Sequence, residues 1–93
     1  MIIGLLSLEI FLPHSHSLKE KRKVVSAFKD RIRNKFNVAV AELDFLDKWQ
    51  RAKIGIVAIN IQPGFVDQVL RRIIEEAERN LEAEILKAEI HYF

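Results

Sequence analysis

The sequence predicts a small α+β domain with elements in the order β-α-β-β-α-β, a four-stranded antiparallel sheet carrying two helices on one face. Three observations predict it. A long, largely apolar run opens the chain, two segments of helical spacing each follow a helix-start signal, and the remaining apolar segments are strand-length and rich in Ile, Val and Ala. At 93 residues there is room for one core, so residues 1–93 read as a single domain. The 49% hydrophobic and 30% charged residues are spread along the whole chain, which favours a globular protein over a disordered one.

The first element is Ile2–Leu12, whose apolar residues run on until Pro13 and so predict a strand buried on both faces. Ser17-Leu18-Lys19-Glu20 then has the form of a capping box. The Ser17 hydroxyl is expected to accept from the Glu20 amide while the Glu20 carboxylate returns to the Ser17 amide. Leu18, Val24, Val25, Phe28 and Ile32 form one apolar stripe, giving a helix that ends near Asn34. Phe36–Phe45 alternates, with Phe36, Val38 and Val40 on one side, and predicts a second strand. A third runs from about Arg51 to Ile61.

Gln62-Pro63-Gly64 ends that strand, and Pro63 suits the first turn of a helix because its missing amide hydrogen has no partner to lose there. Phe65, Val66, Val69, Leu70, Ile73, Ile74 and Ala77 carry this second helix to about Asn80, and residues 82–92 supply a fourth strand. The order is the split βαβ pattern of ferredoxin-like folds. Right-handed crossovers put both helices on one face, with strands one and three central. Glu42, Asp44, Glu84, Lys87 and Glu89 fall on the two edge strands, where charge discourages further pairing. With Ile2, Leu6, Leu8 and Ile10 toward the helices, Ile3, Leu5, Ser7, Glu9 and Phe11 lie on the open face. A face so apolar predicts self-association as a homodimer or higher oligomer, and with it an alternative function, an oligomeric domain of ferredoxin-like regulatory type that binds a small molecule or partner protein at a subunit junction.

Several classes are disfavoured at this level. No stretch approaches the roughly 18 apolar residues of a membrane span. Met1–Ser7 lacks the basic start and small-residue cleavage site of a signal peptide, so it reads as part of a strand. The absence of cysteine removes disulfide, iron–sulfur and thiol chemistry and fits a cytoplasmic protein. Abundant Ile, Glu, Lys and Arg with scarce Gln is a bias of heat-adapted proteins. No catalytic constellation stands out, and no phosphate-cradling glycine loop, so no catalytic residue and no cofactor are assigned. His14 and His16, with Glu9 or His91 as a third ligand, form a weak metal pattern that reads better as a polar loop; no metal is assigned.

Charge carries the strongest functional signal. Lys19–Lys35 holds eight basic residues against two acidic ones, a net of +6 in a chain whose total is +2. At 100° per residue, Lys19, Arg22, Lys23, Lys29 and Arg33 share one flank between about 20° and 140°, while the apolar stripe lies between about 240° and 360°. Lys19, Lys21, Arg22 and Lys23 also crowd the helix start, where the dipole favours acids. This predicts a phosphate-binding face made of Lys19, Lys21, Arg22, Lys23, Lys29 and Arg33, with Arg51 nearby, the alternative being a merely solvated face. Lys21 falls near 300°, on the apolar stripe, where it must snorkel out or meet a partner. Trp49, beside Gln50 and Arg51, is expected to close the end of the core, the alternative being an exposed ring that stacks on a base or docks a protein.

Three ordered blocks, Ser17-Leu18-Lys19-Glu20-Lys21-Arg22, Phe36-Asn37-Val38-Ala39-Val40-Ala41-Glu42 and Trp49-Gln50-Arg51-Ala52, resemble the signature blocks of the YlxP-like family of small bacterial proteins of unknown function. The resemblance implies a ferredoxin-like fold. A gene neighbourhood often shared with translation factors further implies a role near ribosomal RNA or ribosomal particles. It marks Ser17, Lys19, Lys21, Arg22, Asn37, Glu42, Trp49, Gln50 and Arg51 as positions that matter to the family. Taken alone, Asn37 reads as a turn residue and Glu42 as an edge-strand charge.

Overall fold

The computed structural model describes residues 1–93. Its elements are β1 (Ile2–Phe11), α1 (Leu18–Lys35), β2 (Ala39–Asp44), β3 (Arg51–Asn60), α2 (Pro63–Asn80) and β4 (Glu84–Tyr92). The strands form one antiparallel sheet in the order β2-β3-β1-β4, so β1 and β3 are central, as the crossover rule requires. The chain has the ferredoxin-like α+β fold.

One core lies between the sheet and the two helices. Leu6, Leu8 and Ile10 from β1 and Ile54 and Ile56 from β3 meet Val25, Phe28 and Ile32 of α1 and Val66, Leu70 and Ile73 of α2, all buried. Each such side chain contributes about 1.5–3 kcal/mol when taken fully out of water. The same strands show why a long apolar run misled in one respect. In β1 the even positions from Gly4 to Ile10 are buried, but Ile3, Leu5, Ser7, Glu9 and Phe11 are only half-buried, so a single face is packed. β3 leaves Val57 at 37% and Ile59 at 58% exposure on that open face.

Two local boundaries also differ from expectation. The second strand begins at Ala39 rather than Phe36, because the Phe36 amide still donates to the Ile32 carbonyl at 2.9 Å, closing the helix, and the Val38 amide donates to the Phe36 carbonyl at 3.1 Å. At the start of α1 the Ser17 hydroxyl accepts from the Glu20 amide at 3.1 Å, but the Glu20 carboxylate returns to the amide of His16, at 2.7 Å, rather than to that of Ser17.

The helices are fastened to each other by Glu76 on α2. It is 5% exposed, accepts from Lys35 Nζ at 2.9 Å and Asn80 Nδ2 at 3.0 Å, and lies 3.3 Å from Arg31 Nε. The Lys35 hydrogen bond, and then that from Asn80, holds its carboxyl below the ordinary range against the opposing effect of burial. At the other end of α2 the Tyr92 hydroxyl donates to Asp67. That bond and Arg71 lower the Asp67 carboxyl, and Asp67 raises the Tyr92 phenol.

Candidate nucleic-acid interface on the first helix

The residues singled out from sequence separate into two groups on opposite sides of α1. Ser17, Lys21, Glu42, Gln50 and Arg51 organise the end of the molecule where the β1–α1 and β2–β3 connections meet. Lys19, Arg22, Lys23, Lys29 and Arg33 face away from it.

Lys21 meets a partner rather than snorkelling. Its side chain has no exposure, and its ammonium donates to Glu42 Oε2 at 2.9 Å and to the carbonyls of Phe45, Leu46 and Arg51 at 2.7, 3.3 and 3.3 Å. A buried ammonium is tolerated only with such a complete set of acceptors. Lys21 therefore leaves the set of phosphate contacts, since no ligand can reach it. Glu42 lies on the edge strand β2 as expected, but its charge is turned inward: it pairs with Ile54 in the sheet register and faces the helix side, with the parity of Val38 and Val40.

The backbone adapts to this cage. The β2–β3 register shifts between Glu42 and Asp44, leaving Leu43 as an extra residue whose side chain lies over Gly55. Phe45 then adopts φ 61°, a left-handed conformation that costs a bulky residue about 1–2 kcal/mol. It is held there by three bonds. Its amide donates to Asp44 Oδ1 at 2.7 Å, while its carbonyl accepts from Lys21 and from the Lys48 amide at 3.0 Å. The Arg51 guanidinium lies 4.5 Å from the Phe45 ring centre and pairs with Glu9. Arg51 is thus largely engaged inside the molecule. Its carboxylate partner Glu9 is removed from the weak metal pattern, and no three His, Asp or Glu side chains share a position from which to hold a metal.

Gln50 joins the two connections. Its amide Nε2 donates to the carbonyls of Pro13 and Ser15, both at 3.3 Å, while the Leu12 amide donates to the Gln50 carbonyl at 2.8 Å. Trp49, flanked by these anchors, is 55% exposed and does not close the core. Asn37 is exposed in the turn after α1 and makes no side-chain hydrogen bond.

On the outward flank the electrostatics differ. Of the eight cations between Lys19 and Lys35, Lys21, Arg31, Arg33 and Lys35 each have a carboxylate partner, Arg33 through Asp30 at 2.8 Å. Lys19, Arg22, Lys23 and Lys29 have none. Arg31 and Lys35 point to α2, so the unpaired group occupies the side of α1 away from Glu76. Lys23 alone leans back, over a groove that it lines with Val24, Phe28, Arg31, Leu81 and Glu82.

Sequence reasoning found the free cations, and the family resemblance marked Glu42, but it missed Glu42, Glu76, Glu9 and Phe45 as the partners of Lys21, Arg31, Lys35 and Arg51. Two signals were present. A lysine on an apolar stripe demands an acid, and Glu42 shares the parity of the inward-facing valines. Nothing in the sequence distinguishes Glu76 from Glu75 or Glu78.

The fold is shared with designed proteins. The chain superposes on a de novo designed ferredoxin-fold protein, LFR1 1, with a TM-score of 0.59 and 13% identity, covering all of this chain and 84% of that one. It superposes on the designed protein Ferredog-Diesel with a TM-score of 0.52, also at 13% identity, covering 96% and 83%. At that identity the likeness concerns the fold alone. In sequence the chain is 36% identical over 73 residues to the uncharacterized protein YlxP of Bacillus subtilis (strain 168), 78% of this chain and 79% of that protein. The model of the family described as "Protein of unknown function (DUF503)" matches residues 3–90. With nearly the whole chain inside that match, and the signature residues Ser17, Lys21, Glu42, Gln50 and Arg51 gathered at one end of the fold, the chain belongs to the DUF503 family.

Proposed function

We propose that this chain is a non-enzymatic module that associates with RNA or ribosomal particles by contacting phosphates through α1. The observation that carries the reading is the set of unpaired cations, Lys19, Arg22, Lys23 and Lys29, on one flank of a helix whose other cations are neutralised. Arg33 lies on the same flank, where its charge is offset by Asp30 at the surface. A helix face selected for solubility alone would interleave signs, as α2 does with Arg71, Arg72, Glu75, Glu78 and Arg79. A cytoplasmic location accords with this partner, and no helix is long and apolar enough to cross a membrane.

Binding to ribosomal RNA and to isolated subunits, measured across a salt series, tests the reading. Four phosphate contacts give a log–log salt slope of about −3 to −4. Arg22→Glu with Lys23→Glu is expected to abolish binding. Absence of binding at low salt, or an affinity unchanged by the charge reversal, refutes it.

A second reading concerns assembly and rests on a different surface. Leu43 at 50%, Val57 at 37% and Ile59 at 58% exposure lie with Ile3 and Leu5 on the open face of the sheet. We infer that a second copy of the chain covers this face as a homodimer. Sedimentation equilibrium of the purified protein, alone and as Ile59→Glu, is the check: a monomer at every concentration removes this reading and leaves the first intact.

A further inference from the structure

The chain's single tryptophan sits on a turn that is fixed on both sides yet leaves the ring 55% exposed. Exposing an indole forgoes the largest apolar contribution any residue makes. The core does not use Trp49, but the turn that carries it is heavily bonded. Lys21 takes the carbonyls of Phe45, Leu46 and Arg51, the Lys48 amide donates to Phe45, and Gln50 is tied to Pro13, Ser15 and Leu12. A ring held so firmly and left in solvent is pre-organised for a flat partner.

Charge around the ring selects the kind of partner. Asp44 and Asp47 stand on the same turn with no cationic side chain bonded to either, and Lys48, next to the ring, has no carboxylate partner, so the tip carries no strong charge of either sign. Such a tip suits an uncharged planar group. Phosphate is welcomed instead on the first turn of α1, at Lys19, Arg22 and Lys23, and Lys21, in that same turn, bolts the tip to it. The helix turn bolted to the tip thus carries its free cations on the outward side, and a strand passing from the ring round to that flank meets a stacking surface and then a cationic one, the pairing that single-stranded nucleic acid requires and a duplex, with its bases enclosed, does not exploit.

We propose that Trp49 is a base-stacking platform and that the nucleic acid held by α1 is single-stranded, its unpaired base on the indole and its phosphates on Lys19, Arg22 and Lys23. This rests on the RNA-binding reading of α1 and specifies its ligand.

The lone indole is its own reporter. Its fluorescence, and in parallel the anisotropy of a labelled oligonucleotide, is followed while the full chain is titrated at low salt with oligouridylate, oligoadenylate and a blunt RNA duplex. Expected is saturable quenching by the single strands and little by the duplex. Trp49→Ala should lower single-strand affinity roughly five- to hundredfold while Trp49→Phe retains most of it; circular dichroism of both variants should match the parent, since the ring is outside the core. Equal binding of single strand and duplex without quenching, or an affinity untouched by Trp49→Ala, overturns the stacking role and leaves the α1 reading standing. No anisotropy change with any oligonucleotide overturns both. Loss of ribosomal co-sedimentation in Trp49→Ala, with no oligonucleotide binding, would make the ring a protein-docking residue and equally overturn the proposal.

Discussion

Lys21 and Arg22 are adjacent, carry the same charge and stand in the same turn of α1, yet one is sealed inside the molecule and the other has no partner at all. The difference is one of angular position. At 300° Lys21 falls among Val25, Phe28 and Ile32, where the fold must supply an acid and three carbonyls; at 40° Arg22 faces water, which solvates it. The inward side of α1 repeats the pattern with Arg31 and Lys35 on Glu76, and the outward side repeats the other with Lys19 and Lys29. A cluster of cations is thus two clusters, one that builds the protein and one that is free to act outside it.

Breaking that distinction should be easiest at Lys21. Lys21→Ala leaves Glu42 without its ion-pair partner and takes the lysine donor from three carbonyls, of which that of Phe45 keeps the Lys48 amide, and is expected to cost about 3–5 kcal/mol in chemical denaturation. A loss below about 1 kcal/mol would mean that the cage is open to water. The next effect lies in the core itself. A side chain at Gly4 would meet Val66 Cγ1 at 2.7 Å and Leu70 Cδ1 at 2.8 Å, both in buried residues, so Gly4→Ala should cost about 1–3 kcal/mol. Ser17→Ala removes the cap of α1 and should cost about 1 kcal/mol, lowering the melting temperature without altering the cage.

Smaller again at neutral pH is Glu76→Gln, because Arg31 and Lys35 keep their access to solvent. Its signature is in acid. The folded Glu76 carboxyl titrates below its ordinary value of 4.5, so its contribution is complete above that pH and is lost as pH falls through the folded value. Denaturation midpoints measured from neutral to acid pH should therefore fall less steeply for Glu76→Gln than for the parent. Smallest of all should be Arg22→Glu, within about 0.5 kcal/mol of the parent in stability, as expected of a surface site without a partner. Its consequence should appear in polyanion binding. A variant as destabilised as Lys21→Ala would show that Arg22 belongs to the structural group after all.

Sequence alone determined a good deal. The apolar run of β1, the Ser17 cap, the stripe from Leu18 to Ile32 and Pro63 at the start of α2 are local signals, and each needs only its neighbours to act. They were enough for the element order, and the crossover rule then placed β1 and β3 at the centre. The flank of Lys19, Arg22, Lys23, Lys29 and Arg33 was legible for the same reason, since helical periodicity alone puts those residues together.

Tertiary structure decided what depends on residues far apart in the chain. Glu42 is 21 positions from Lys21 and Glu76 is 41 from Lys35, and no periodicity links them. Only the folded sheet and the packed helix pair bring these groups within hydrogen-bond reach. The same closure lifted Trp49 out of the core by bending the chain at Leu43 and Phe45 around a buried ammonium. Local pattern fixes which side of an element a residue faces, and long-range packing fixes what it finds there.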